Sequence, residues 1–180
     1  MDSHVSELNA FAQALEAEKG KPIPRFDPLD GGNRARLLVL MESPSRRGIE
    51  RGYASSDNPT PTGRRMRETF AAAGIRREDR VIWNAVPWYL GDDRKGRNPT
   101  AAELREGALY LPPLLKLLPE LRVVLTLGVA AEKGWKSLNS ELPHIAAPHP
   151  SNTNLCARPW LAAEFRRAVE EAADAIRQRP

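Results

Sequence analysis

The chain has 180 residues, 41% hydrophobic and 28% charged, which suits one domain, residues 1–180, with a sizeable core. No apolar run approaches the ~20 residues of a membrane span; the opening MDSHVSELNAFAQALEAEKG is acidic and amphipathic, unlike a signal peptide, and the lone Cys156 excludes an internal disulfide, so a cytoplasmic location is expected. The formal net charge is +4, with 21 Arg against 6 Lys, a balance that decorates a solvated surface or serves a polyanion partner through bidentate phosphate contacts.

An amphipathic helix is predicted over 4–18, and KGKPIPRFDPLDGGNRA (19–35) reads as an extended linker between that helix and the sheet. RLLVLM (36–41) is near-continuously apolar, as a strand buried on both faces must be. A long loop, 42–61, leads to a helix over 62–74, and RVIWNAV (80–86) is a second buried strand. Residues 87–99 form another long loop. Thr100, with Glu103 three positions on, is the capping box of a helix over 101–118. RVVLTLG (122–128) is the third strand, a helix covers 129–139, and HIAAPH (144–149) is a weaker fourth strand before a long helix over 158–178.

Strands alternating with helices imply a three-layer α/β/α sandwich around a four-stranded parallel sheet. Right-handed crossovers then place all strand C-termini on one edge, where open α/β sheets bind ligands. The unusual polar residues cluster at those four ends: MESPSRRG, WNAVPW, LGVAA and PHPSNTN. The basic stretches SRRGIER (45–51), GRRMR (63–67) and DDRKGR (92–97) lie between the strands, so Arg46, Arg47 and Arg64 are candidate phosphate contacts.

His149 stands at a strand end before Pro150 and a run of small hydrogen-bonding side chains, Ser151, Asn152, Thr153 and Asn154. That context suits anionic oxygens, although a histidine there can equally be a satisfied structural group. His4 and His144 lack it and are assigned structural or surface roles. Asn84 lies inside an apolar strand, where an unpartnered amide costs about 1–3 kcal/mol. It either bonds loop backbone or reads a planar ligand that offers a carbonyl beside an N–H. In MESPS, Pro44 turns the chain out of the strand and leaves Glu42 and Ser43 at the rim. This is not the G-x-S-x-G elbow of a serine hydrolase, and no Asp is recognisably placed to orient His149. Metal-ligand spacings, a Walker sequence and G-x-G-x-x-G are all missing.

Taken in order, MESPS, WNAVPW, LTLGVAA and HPSNTN resemble the motifs of the uracil-DNA glycosylase superfamily. TGRRMRETFAAAGI and RNPTAAELREGALYLPPLLKLLPELRVVLTLG resemble its branch with the G-E-A-P-G motif, the likeness spanning roughly residues 36–165. The resemblance implies base flipping and excision of uracil from single- or double-stranded DNA, with free uracil as product, by a monomer that needs no membrane. By the same likeness His149 donates to a uracil carbonyl, Asn84 reads the uracil edge, and Ser151, with Asn152 and Asn154 beside it, contacts DNA. Leu155 is the candidate wedge entering the duplex. Glu42 or Ser43 holds the water or faces the sugar cation, Asp57 and Asn58 being alternatives from the long loop, and Tyr53 or Trp88 stacks on the base.

The departures are Met41 and Ser45 at the two glycines of the first motif, Asn152 where a proline follows H-P-S, and Pro61 where a Phe is expected. The cysteines of that branch's iron–sulfur cluster are absent, so no cofactor is expected. The alternatives are a module that grips uracil or abasic DNA without turnover, and a nucleotide-processing hydrolase on a similar sheet.

Overall fold

Four segments rich in Leu, Val, Ile and Trp build the central sheet, because continuous apolar runs need cover on both faces. The computed structural model describes residues 3–92 and 95–178; Asp93 and Arg94 of the basic stretch 92–97 lie outside the described residues. The elements in chain order are α1 (Ser3–Lys19), β1 (Arg25–Phe26), β2 (Leu37–Met41), α2 (Arg46–Arg51), β3 (Tyr53–Ala54), α3 (Pro61–Ala72), β4 (Arg80–Asn84), α4 (Ala101–Ala108), α5 (Leu111–Lys116), β5 (Val123–Leu127), α6 (Val129–Lys136), β6 (His144–Ala147), α7 (Asn152–Ala157) and α8 (Pro159–Arg177). Two short 3-10 turns, Gly32–Arg34 and Arg77–Asp79, precede β2 and β4.

The main sheet has strand order β4-β2-β5-β6, all parallel, flanked by helices as expected. Alternation within each strand sends Leu38, Leu40, Val81, Trp83 and Val124 to one face, against Val5, Leu8, Leu111, Leu114 and Trp135. Leu37, Val39, Ile82, Val123 and Leu125 go to the other, against Met66 and Phe70 of α3 and Phe165, Val169 and Ile176 of α8. Each such large side chain contributes roughly 1.5–3 kcal/mol on burial, so these two clusters fix the sheet that carries the rim. Among the described residues no helix is long and apolar enough to cross a membrane.

The structure corrects the sequence reading in several places. The helix expected over 101–118 divides into α4 and α5, because Pro112 and Pro113 have no N–H to donate into a continuing helix and instead start a new one. The loop 42–61 contains α2 and β3. The segment 19–35 is no detached linker: Ile23 and Phe26 are buried, and β1 pairs in parallel with β3. Phe26 stacks on Trp83 with ring centroids 4.4 Å apart and planes within 5°. The capping box forms as expected, with Thr100 Oγ1 accepting from Glu103 N at 3.2 Å and Glu103 Oε2 from Thr100 N at 2.8 Å.

Candidate active site

A cavity of about 430 Å³ opens at the C-terminal edge of the sheet, within the size range of small-ligand sites. Its floor comes from the strand ends. Met41 and Asn84 are register partners, and the ladder continues past them, Ala85 N donating to Met41 O at 2.8 Å and Val86 N to Glu42 O at 2.9 Å. Glu42 and Asn84 are thereby fixed side by side at the rim. His149 reaches the same cavity from beyond β6.

Asn84 is 4% exposed, and no described protein group hydrogen-bonds its side-chain amide. Of the two sequence-level readings, loop-backbone bonding is therefore not the one realised. A buried amide facing a cavity without a protein partner is a ready donor–acceptor pair for a ligand.

The His149 backbone is held firmly. Its carbonyl accepts from Ser151 N at 2.9 Å and from Asn154 Nδ2 at 3.3 Å. Arg65 Nη1 of α3 ties the next carbonyl, that of Pro150, at 3.1 Å. Burial lowers the His149 pKa, so the ring is neutral near pH 7 and carries one N–H to donate. Burial also raises the pKa of half-buried Glu42 above the ordinary glutamate value.

Other sequence candidates divide. Ser43, Tyr53 and Arg46 line the cavity, Tyr53 being 40% exposed. Arg46 also pairs with Glu50 at 3.0 Å, and Arg47 Nη1 donates to Pro59 O at 2.6 Å. Arg64 is exposed on α3, and Asn152 is exposed on α7. Ser151 caps α7, its Oγ accepting from Asn154 N at 3.3 Å, which leaves its hydroxyl hydrogen free to donate. Ser45, at the departure from glycine in the first motif, has φ −72° and caps α2 by accepting from Gly48 N at 3.1 Å; no glycine is required there.

Three candidates are placed elsewhere. Trp88 is 1% exposed and packs in the core beneath Tyr110, Lys19 and Lys21, away from the cavity. Its neighbour Tyr89 lines the cavity instead. Leu155 is 5% exposed and belongs to the core under α8, so it is not a free wedge. Asp57 turns away to Arg77 and is engaged there, while Asn58 does line the cavity. Sequence reasoning also missed Arg97, which lines the cavity and is held by Glu103 at 2.6 Å, and Gly128, whose role depends on a neighbour distant in sequence.

Among the described residues no cluster of His, Cys, Asp and Glu is arranged to hold a metal ion. With one cysteine, the chain cannot supply the thiolate set of an iron–sulfur cluster, so its residues do not fit that group.

A family model described as the uracil DNA glycosylase superfamily matches residues 29–173. The fold is similar to the solution NMR structure of a candidate uracil DNA glycosylase from Methanosarcina acetivorans, with a TM-score of 0.54 and 16% sequence identity, covering 84% of this chain and 97% of that one. No curated protein sequence matches significantly.

Proposed function

The chain belongs to the uracil DNA glycosylase superfamily, and from that membership and the cavity chemistry we propose that it excises uracil from DNA. The observation that carries this reading is Asn84, a buried amide with no protein partner, facing a cavity shared with a neutral histidine and a carboxylate. Uracil offers along one edge a carbonyl and an N–H, which an amide matches with one donor and one acceptor.

The reaction breaks the bond between the sugar C1′ and uracil N1, with the electron pair leaving on uracil. The His149 N–H donates to the uracil oxygen on which negative charge grows, an interaction that strengthens as the bond breaks. A neutral imidazole suits this role: it needs only a fixed N–H, and burial keeps it uncharged. The sugar left behind is cation-like. Glu42, when ionised, favours that cation and takes a proton from the water that adds to C1′. The uracil anion then acquires a proton and leaves as free uracil, with an abasic site in the DNA.

The substrate must reach this cavity extruded from the stack, because its glycosidic bond is inaccessible within a duplex. Tyr53 and Tyr89 are the aromatic rings available to stack on it, Arg46 lines the cavity, and the exposed Asn152 and Arg64, with Ser151, are the groups proposed to contact phosphates. The test is release of uracil from single- and double-stranded oligonucleotides carrying one deoxyuridine. Strand scission after alkali at that position is expected; tight binding with no release makes the protein a recognition module, and neither binding nor release overturns the reading.

A further inference from the structure

The cavity wall made by Tyr53, Ala54, Ser55 and Asn58 is no part of the central sheet. It hangs from the N-terminal segment. Tyr53 and Ala54 pair with Arg25 and Phe26, and Arg25 N donates to Gly52 O at 2.7 Å. Ser55 Oγ donates to Asp27, Arg67 Nη1 to Ser56 O at 2.6 Å, and Arg80 Nη2 to Ser56 Oγ at 2.9 Å.

Arg77 joins these pieces. Its Nη2 reaches Asp27 Oδ2 at 2.7 Å, its Nε reaches Asp30 Oδ1 at 2.9 Å, and its Nη1 engages Asp57. One guanidinium thus binds three carboxylates, two from the N-terminal segment and one from the wall. Asp27, Asp30 and Arg80 are buried.

Stability alone is a weak reason for such a cluster. Desolvation offsets much of the attraction in a buried ion network, and apolar side chains of similar volume often do as well or better. A planar donor fork supplies what apolar packing lacks, a fixed direction between the groups it holds. Residues 3–28, with β1 and Asp27, also lie outside the span matched by the family model, so the anchoring segment begins beyond the shared region.

We propose that residues 23–30 are a working part of the site, and that Arg77 is a positioning residue which clamps Asp27 to Asp57 and so holds Tyr53 and Asn58 in place for the incoming base. This rests on the glycosylase reading above. Arg77 touches no substrate; it acts through the wall. Glu42, Asn84 and His149 are set by the sheet edge and do not depend on the clamp.

The test compares wild type with Asp57→Asn, Asp27→Asn and Arg77→Met, each with and without Tyr53→Ala, on a deoxyuridine oligonucleotide. In the clamp variants kcat/KM should fall about tenfold, while the single-turnover rate at saturating DNA stays within about threefold. The loss caused by Tyr53→Ala should shrink to under about twofold in a clamp-variant background, because the two changes disable one device. Amide exchange across residues 53–58 should quicken by at least about tenfold.

Should Arg77→Met fail to fold, Asp57→Asn decides, since Asp57 is partly exposed and the substitution keeps its shape. Unchanged kcat/KM, or a Tyr53→Ala loss undiminished by the clamp variants, overturns the proposal. So does a lowered melting temperature with every kinetic parameter retained, which is a merely structural role. A wild type that releases no uracil defeats the glycosylase reading instead, and the exchange measurement then decides the clamp: no quickening in Asp57→Asn overturns it.

Discussion

Gly128 and His149 lie so close that a Cβ on Gly128 would stand 3.0 Å from the Cβ of His149. Gly128 also has φ 93° and ψ 163°, a backbone region open in practice only to glycine. It sits between β5 and α6, and its N–H donates to Ala147 O at 2.8 Å. Glycine here lets the end of β5 approach the turn that carries the histidine.

Gly128→Ala should therefore do two things. Backbone strain should lower unfolding free energy by about 1–3 kcal/mol. Displacement of His149 should slow single-turnover cleavage by about tenfold or more at a temperature where the variant is fully folded. Thermal unfolding and single-turnover kinetics measure the two effects separately. A strained variant with a wild-type rate means that the placement of His149 does not limit cleavage.

Asn84→Asp should cost about 2–4 kcal/mol of transition-state stabilisation, because a carboxylate puts an acceptor against a uracil carbonyl and loses the amide donor. Cleavage should fall by roughly 30- to 1,000-fold while the circular dichroism spectrum is unchanged. Full uracil release from a correctly folded Asn84→Asp protein removes Asn84 from base reading.

The pH–rate profile should carry an acid limb. Burial raises the Glu42 pKa, and the proposed mechanism uses the ionised form, so the rate should fall as pH drops through a value above the ordinary glutamate range. Burial lowers the His149 pKa, so any step from the ring lies below the ordinary histidine value, and comparison with Glu42→Gln separates it from the glutamate limb. Glu42→Gln should flatten the limb and slow cleavage at neutral pH more than Ser43→Ala does. A limb that persists in Glu42→Gln, or a larger loss in Ser43→Ala, moves the water-holding role away from Glu42.

Leu155→Ala should act on stability. The side chain is almost fully buried under α8, and its truncation should lower unfolding free energy by about 2–5 kcal/mol. Losses of activity should be equal on single- and double-stranded substrate. A loss confined to duplex DNA would restore the wedge role.

Residues 37–41 and 123–127 were legible as strands because burial on both faces leaves an unbroken apolar run, a signal confined to a few neighbouring positions. Gathering Glu42, Asn84 and His149 needed only the handedness of the crossovers, which sends every strand end to one edge. The Arg77 cluster was not legible, since charged pairs between distant segments leave no period in the chain. Trp88 and Tyr89 show a finer limit: either ring could face the cavity, and the turn after β4 decides between them. Leu155 was ambiguous in the sequence because a wedge and a core residue call for the same apolar side chain, and the structure shows it buried.

The contact between Asp27 and Arg77 spans 50 positions of chain, and that between Asp30 and Arg77 spans 47. During synthesis the two aspartates emerge first and stay hydrated until the arginines of 77 and 80 follow. Closing so long a loop costs entropy that is recovered only once β2, α3 and the start of β4 have docked. The wall of the cavity accordingly rests on contacts of high sequence separation, which carry a larger closure cost than the local turns around Glu42. The cavity wall is thus closed by chain segments that lie about 50 positions apart.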